Sequence, residues 1–117
     1  MTTKTIERAV HSVQRGVIIY NVKKTGGGTP ALGGADSLQF SVTDNGVGDY
    51  SLSLLDEASE ESLVVYLQSK TAGVICKLGT VSSSSIQVEC FSDLAETTPA
   101  EGDFDALVVK RKRSDKF

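Results

Sequence analysis

Val42-Thr43-Asp44-Asn45-Gly46-Val47-Gly48-Asp49-Tyr50-Ser51-Leu52-Ser53-Leu54 is the stretch that decides the fold class. A glycine-rich turn sits at its centre, an apolar strand leads into it, and strict apolar/polar alternation follows. A period of two places Tyr50, Leu52 and Leu54 on one face and Ser51 and Ser53 on the other, the pattern of a half-buried antiparallel strand. The same alternation recurs along the chain, and no helical periodicity competes with it.

Working outward, the alternation predicts about eight strands. The first two are Ala9–Gln14 and Gly16–Lys23, joined at Arg15-Gly16, where glycine permits a bulge or sharp bend. The segment Lys24–Asp36 holds five glycines and a proline and reads as a turn-rich loop. Ser37–Thr43 is the third strand, with Leu38, Phe40 and Val42 inward, and Asp49–Leu55 is the fourth. An acidic link, Asp56-Glu57-Ala58-Ser59-Glu60-Glu61, has room for one helical turn. Strands five to seven are Ser62–Ser69, Val74–Leu78 and Ser85–Phe91. After the acidic loop Ser92–Gly102, Asp103–Arg111 closes the chain as strand eight.

Short strands about ten residues apart, with turn chemistry between them, indicate two packed sheets rather than alternating helix and strand. The fold class is therefore all-β, an antiparallel, jelly-roll-like β-sandwich. Inward positions predict a core of Ile18, Tyr20, Leu38, Phe40, Tyr50, Leu52, Leu54, Leu63, Val65, Val74, Cys76, Ile86, Val88, Phe104, Ala106 and Val108. At 117 residues the chain reads as one domain, able to bury such a core without disulfides or metals. Met1–Arg8 would be an N-terminal arm, residues 9–111 the sandwich, and residues 112–117 a basic tail. The opening residues lack the apolar core of a secretory signal, which points away from export by that route. No run approaches the ~20 apolar residues that span a bilayer, so no membrane partner is expected.

Residues that could carry chemistry are few. His11 is the sole histidine, which removes multi-histidine metal sites and most nucleophile–base pairs. Cys76 and Cys90 cannot make a structural zinc site alone. They read as two small buried hydrophobes, with a disulfide between neighbouring strands as the alternative. Asp44 and Asp49 flank a glycine turn without the oxygen-rich spacing of a calcium loop, and serve the turn instead. Gly26-Gly27-Gly28 lacks the lysine–hydroxyl ending of a phosphate loop. Glu57, Glu60 and Glu61 adjoin no aromatic platform of a glycosidase kind. The reading is a non-enzyme that needs no metal and no cofactor.

The net charge of −3 conceals an asymmetry. Lys110-Arg111-Lys112-Arg113-Ser114-Asp115-Lys116 carries five basic side chains and one acidic, leaving seven basic against fourteen acidic on the body. Such a tail suits an acidic surface on another subunit, or simple solvation. Nucleic acid is not expected, because basic and aromatic residues are not interleaved on the body. Three strands are apolar on both faces, as interface strands or simply central ones would be: Val17 and Ile19, Val64 and Tyr66, and Leu107 and Val109 remain after one face is given to the core. Val17, Ile19, Val64 and Tyr66, with Lys110, Arg111, Lys112 and Arg113, are the candidate contacts to a partner.

Two segments resemble known proteins. Val10-His11-Ser12-Val13-Gln14-Arg15-Gly16-Val17-Ile18-Ile19 resembles the opening of many small β-rich proteins of tailed bacteriophages, where an S-(I/V)-Q-R-G core leads into an apolar strand. Gly46–Leu54 is similar to the G-x-G-D-Y-x-(L/V)-x-(L/F) element of phage virion and fibre-associated β-sandwich modules. The two motifs cover about a fifth of the chain. The resemblance implies a small virion protein, often trimeric, that decorates or cements a capsid or forms a knob or fibre module, made in the host cytoplasm. Its partners would be copies of itself and the major capsid protein or another virion protein. A fibre-tip module gripping a host-surface glycan is the alternative; its wall would be Thr25–Asp36 and its aromatics Tyr20, Tyr50, Tyr66 or a few Phe.

Overall fold

The computed structural model of the chain describes residues 17–26 and 29–111. The expected arm Met1–Arg8, the expected strand Ala9–Gln14 and the tail residues 112–117 lie outside them. Among the described residues eight strands run in order: β1 (Val17–Thr25), β2 (Ala31–Gly33), β3 (Phe40–Gly46), β4 (Asp49–Leu54), β5 (Val64–Ser69), β6 (Ile75–Val81), β7 (Ser85–Phe91) and β8 (Phe104–Arg111). They form two four-stranded sheets, ordered β2-β1-β8-β5 and β3-β4-β7-β6, and every pairing is antiparallel. The protein is an antiparallel β-sandwich. Nested pairing of β1 with β8 and β4 with β7 gives it a jelly-roll-like character, while β3–β4 and β6–β7 are local hairpins.

The opening stretch forms the β3–β4 hairpin, with Val42 opposite Leu52 and a register shift between Asp44 and Gly46. Asp44 Oδ1 accepts the Gly46 N–H at 3.0 Å, so this acid shapes its turn as expected of Asp. Gly48 has φ +69°, and a Cβ there would lie 2.5 Å from the Cys90 carbonyl oxygen. Its own carbonyl accepts the Cys90 N–H at 2.7 Å. A glycine is required here both by the left-handed backbone and by this close approach.

Inward side chains of both sheets make one core: Tyr20, Val22, Phe40, Tyr50, Leu52, Leu54, Leu63, Ile86, Val88, Cys90, Phe104, Ala106 and Val108. Tyr20 meets Phe40 edge-on at 5.4 Å between ring centroids, a favoured aromatic geometry. Ile18, Val65, Val74 and Cys76 pack partly buried against it. Leu38 does not join them. Ser37–Gln39 is a 3-10 turn rather than the start of a strand, and Leu38 is 89% exposed. The tighter turn breaks the period of two that carried the expectation.

Two other segments differ from the sequence reading. The glycine-rich segment is not wholly loop: β1 runs on through Lys24 and Thr25, and Ala31–Gly33 pairs with it. The acidic link forms no helical turn and instead clamps the end of β8. Ser59 Oγ accepts the Arg111 N–H at 2.9 Å and donates to the Arg111 carbonyl at 3.0 Å. The loop after β7 is ordered by Asp93, whose carboxylate accepts the Thr97 and Thr98 N–H groups and the Thr97 hydroxyl.

These placements separate two apolar truncations. Phe104→Ala, at a fully buried ring, is expected to cost about 3–5 kcal/mol in urea unfolding. Leu38→Ala is expected to change stability by less than about 0.5 kcal/mol. Equal losses at the two sites would contradict the 3-10 assignment.

Candidate docking surface

Alternation along β1, β8 and β5 sends one set of side chains inward and the other outward. The register then lines the outward set into rows. Ile19 lies opposite Val109, and Val109 opposite Val64. The next row is Asn21, Leu107 and Tyr66, and the one beyond is Lys23, Asp105 and Gln68. At the other end Val17 faces Arg111. The result is an apolar patch two rows deep on the outside of the sandwich.

The patch is open. Ile19 is 41% exposed, Val64 51%, Tyr66 64% and Leu107 40%, with Val17 and Val109 half-buried. Polar groups bound it at both ends. Lys70 pairs with Asp105 at 3.5 Å on one side, and Arg111 with Glu61 at 3.1 Å on the other. An apolar centre with a charged rim is the anatomy of a protein contact surface. Beside Tyr66 lies a shallow hollow of about 280 Å³ that also involves Asn21, Gln68, Asp105 and Leu107.

The structure thus gathers Val17, Ile19, Val64 and Tyr66 on one face and adds Leu107 and Val109. Arg111 stands at its rim. Lys110 does not belong with the others. It points inward, 4% exposed, and its Nζ lies 3.3 Å from Asp56 Oδ2. The inward row Phe104, Ala106, Val108 continues to Lys110, so parity rather than charge decides where its stem goes. Lys112 and Arg113 lie outside the described residues.

Asp56 also accepts the Tyr20 hydroxyl at 3.1 Å and the Glu57 N–H at 2.7 Å. The Glu57 N–H, then the Tyr20 hydroxyl and Lys110, hold its carboxyl below the ordinary 3.8. Tyr20 is pushed up to about 12, by burial first and by the Asp56 carboxylate second. Tyr50 is raised too, by burial and by its 2.6 Å bond to Glu101 Oε2.

A second buried lysine escaped the sequence reading. Lys24 follows Tyr20 and Val22 on the inward row of β1 and is 0% exposed. Its ammonium sits 3.6 Å from the Tyr50 ring centroid and donates to the Gly102 carbonyl at 2.6 Å. Burial lowers its pKa, against the opposing pull of Asp103. The period of two was the available signal; residue type and the glycines that follow concealed it.

Among the described residues no group of three or more His, Cys, Asp and Glu side chains is placed to hold a metal ion. Comparison with protein-family models, with curated proteins and with solved structures yields no match to this chain.

The shifted groups make the fold sensitive to pH at both ends of the scale. The lowered Asp56 carboxyl contributes stability that is present above its ordinary value of 3.8 and lost as pH falls below it. The raised Tyr20 contributes stability that is complete below 10 and lost as pH rises from there through about 12. Urea midpoints measured against pH are expected to fall on both limbs. Asp56→Asn should make the acid limb shallower and Tyr20→Phe the alkaline one, where the raised Tyr50 keeps its share. A variant that leaves its limb unchanged would remove that group from the account.

Proposed function

We propose that this chain is a non-enzymatic structural protein of a tailed-bacteriophage virion. In this reading it is a capsid decoration, cement or knob protein that binds the major capsid shell as a homotrimer. The observation that carries the proposal is the apolar outer face of β1, β8 and β5. A monomer gains nothing by holding Ile19, Leu107, Val64 and Tyr66 in water, whereas closed assembly removes them from it. Three such faces turned toward a common axis would form a second, intersubunit core. Charged rims, including Lys70–Asp105 and Arg111–Glu61, would lie at its ends. The two phage-like motifs supply the virion context. Met1–Arg8 and the basic run from Arg111 through Lys112 and Arg113 are the candidate anchors to the shell.

One observation favours the fibre-tip alternative. The lining of the hollow includes the exposed Tyr66 together with Asn21, Gln68 and Asp105. Sugar rings stack on such aromatics while amides and carboxylates take their hydroxyls. Tyr20 and Tyr50 are buried and drop out of that role, and the hollow's lining contains no residue of Thr25–Asp36. Assembly and glycan binding compete for one face, so they separate cleanly.

Sedimentation equilibrium is expected to show a trimer for the native chain. Leu107→Glu should raise its dissociation constant roughly tenfold or more by placing a carboxylate in the desolvated centre, with little change in melting temperature. A native chain that stays monomeric, and whose retention on a glycan array is lost in Tyr66→Ser, would overturn the assembly reading in favour of the alternative.

Shell anchoring is tested separately. Chains lacking residues 1–8 or 112–117 should fold normally, and at least one should fail to decorate capsids. Full occupancy by both would sink the anchoring role.

A further inference from the structure

Cys76 on β6 and Cys90 on β7 stand directly opposite each other in the ladder, and their Sγ atoms are 2.9 Å apart. Neither is in a disulfide. The backbone of Cys90 turns away from β6: its N–H donates to Gly48 and its carbonyl accepts the Ala100 N–H. The two cysteines are therefore a non-hydrogen-bonded pair, the kind in which Cα atoms approach to about 4.5 Å. That separation falls within the span a disulfide bridges. Little backbone movement stands between this dithiol and a closed bond.

The surroundings divide the two thiols into different roles. Among the described residues β6 is the outermost strand of its sheet, and Cys76 on it is half-buried. Cys90 is fully buried behind it. The Cys90 thiol and, further down, the Lys24 ammonium favour the Cys76 thiolate and hold its pKa below the usual thiol value. The same pairing, with burial, pushes Cys90 up. Cys76 is placed to attack and Cys90 to resolve.

We propose that Cys76 and Cys90 form a dithiol modification site that closes to an intramolecular disulfide on reaction with a low-molecular-weight disulfide such as oxidised glutathione. The Cys76 thiolate attacks one sulfur of the reagent, whose S–S bond breaks. The mixed disulfide forms, and the departing thiolate takes up a proton. Cys90 then gives its proton to the second leaving thiolate as its sulfur attacks Cys76 Sγ. The two protein thiols lose two electrons in all, and the reagent is reduced to two thiols. Through Cys90 the bond ties β6 and β7 to the β3–β4 turn at Gly48 and to the following loop at Ala100. This site is independent of the outer face and of its partner.

The test uses the full chain, reduced and folded, incubated with oxidised glutathione in native buffer. The intact monomer should lose the mass of two hydrogens, both thiols should vanish together from thiol titration, and peptide mapping should link the Cys76 and Cys90 peptides. Cys90→Ala should instead accumulate glutathione on Cys76. Because the fold preorganises the pair, the disulfide-exchange equilibrium constant should exceed that of the urea-unfolded chain by of order a hundredfold. Two unreacted thiols, a stable glutathione adduct on the native chain, links between chains, or equal constants folded and unfolded would each overturn the proposal.

Discussion

The pairing of β1 with β8 is the constraint on which the rest of the molecule depends. Eight residue pairs run in unbroken register from Val17 opposite Arg111 to Lys24 opposite Phe104. Even-numbered residues of both strands face the core, so Tyr20, Val22, Phe104, Ala106 and Val108 meet the opposite sheet. A slip of one residue would turn these outward and bring Ile19, Leu107 and Val109 in. β2 hangs on one side of this pair and β5 on the other. The composition of the outer face is thus fixed by the same register that fixes the core.

The same pairing explains why two lysines are buried in a protein with ample surface. Lys24 and Lys110 stand at opposite ends of the inward rows, where their aliphatic stems extend the apolar face. Each ammonium must then find partners at its end of the sandwich. At one end the Gly102 carbonyl and the Tyr50 ring receive it; at the other the half-exposed Asp56 does, alongside the Tyr20 hydroxyl. The tyrosines serve both groups, with rings in the core and hydroxyls on the carboxylates of Asp56 and Glu101. The clamp of Ser59 on Arg111 belongs to this arrangement, holding the acidic link where Asp56 can reach inward.

Much of this architecture is legible in the alternation of side chains. β4 and β7 need only their periodicity, and the double-sided apolar strands mark Ile19, Val64, Tyr66 and Leu107 before any coordinates. Leu38 misleads because the alternation of Phe40 and Val42 continues back through it, and a 3-10 turn has another period. Lys24 and Lys110 mislead in the opposite sense: parity places them inward while charge argues for water, and long stems allow parity to win. β2 is hidden by composition, since Ala31, Leu32 and Gly33 pair with β1 through backbone groups that residue type does not reveal. The approach of Cys76 to Cys90 depends on how β6 and β7 align across a register shift between Leu78 and Val81. No local pattern specifies that alignment.

The outer face of β1, β8 and β5 is proposed to be buried between copies of this chain. Hydroxyl-radical footprinting across a dilution series tests it directly, because Leu38 and Leu94, 89% and 88% exposed and outside the rows of that face, act as internal standards. At high concentration Tyr66 and Leu107 are expected to be protected relative to both standards. Dilution into monomer should restore their reactivity. Unprotected Tyr66 and Leu107 at every concentration would contradict it.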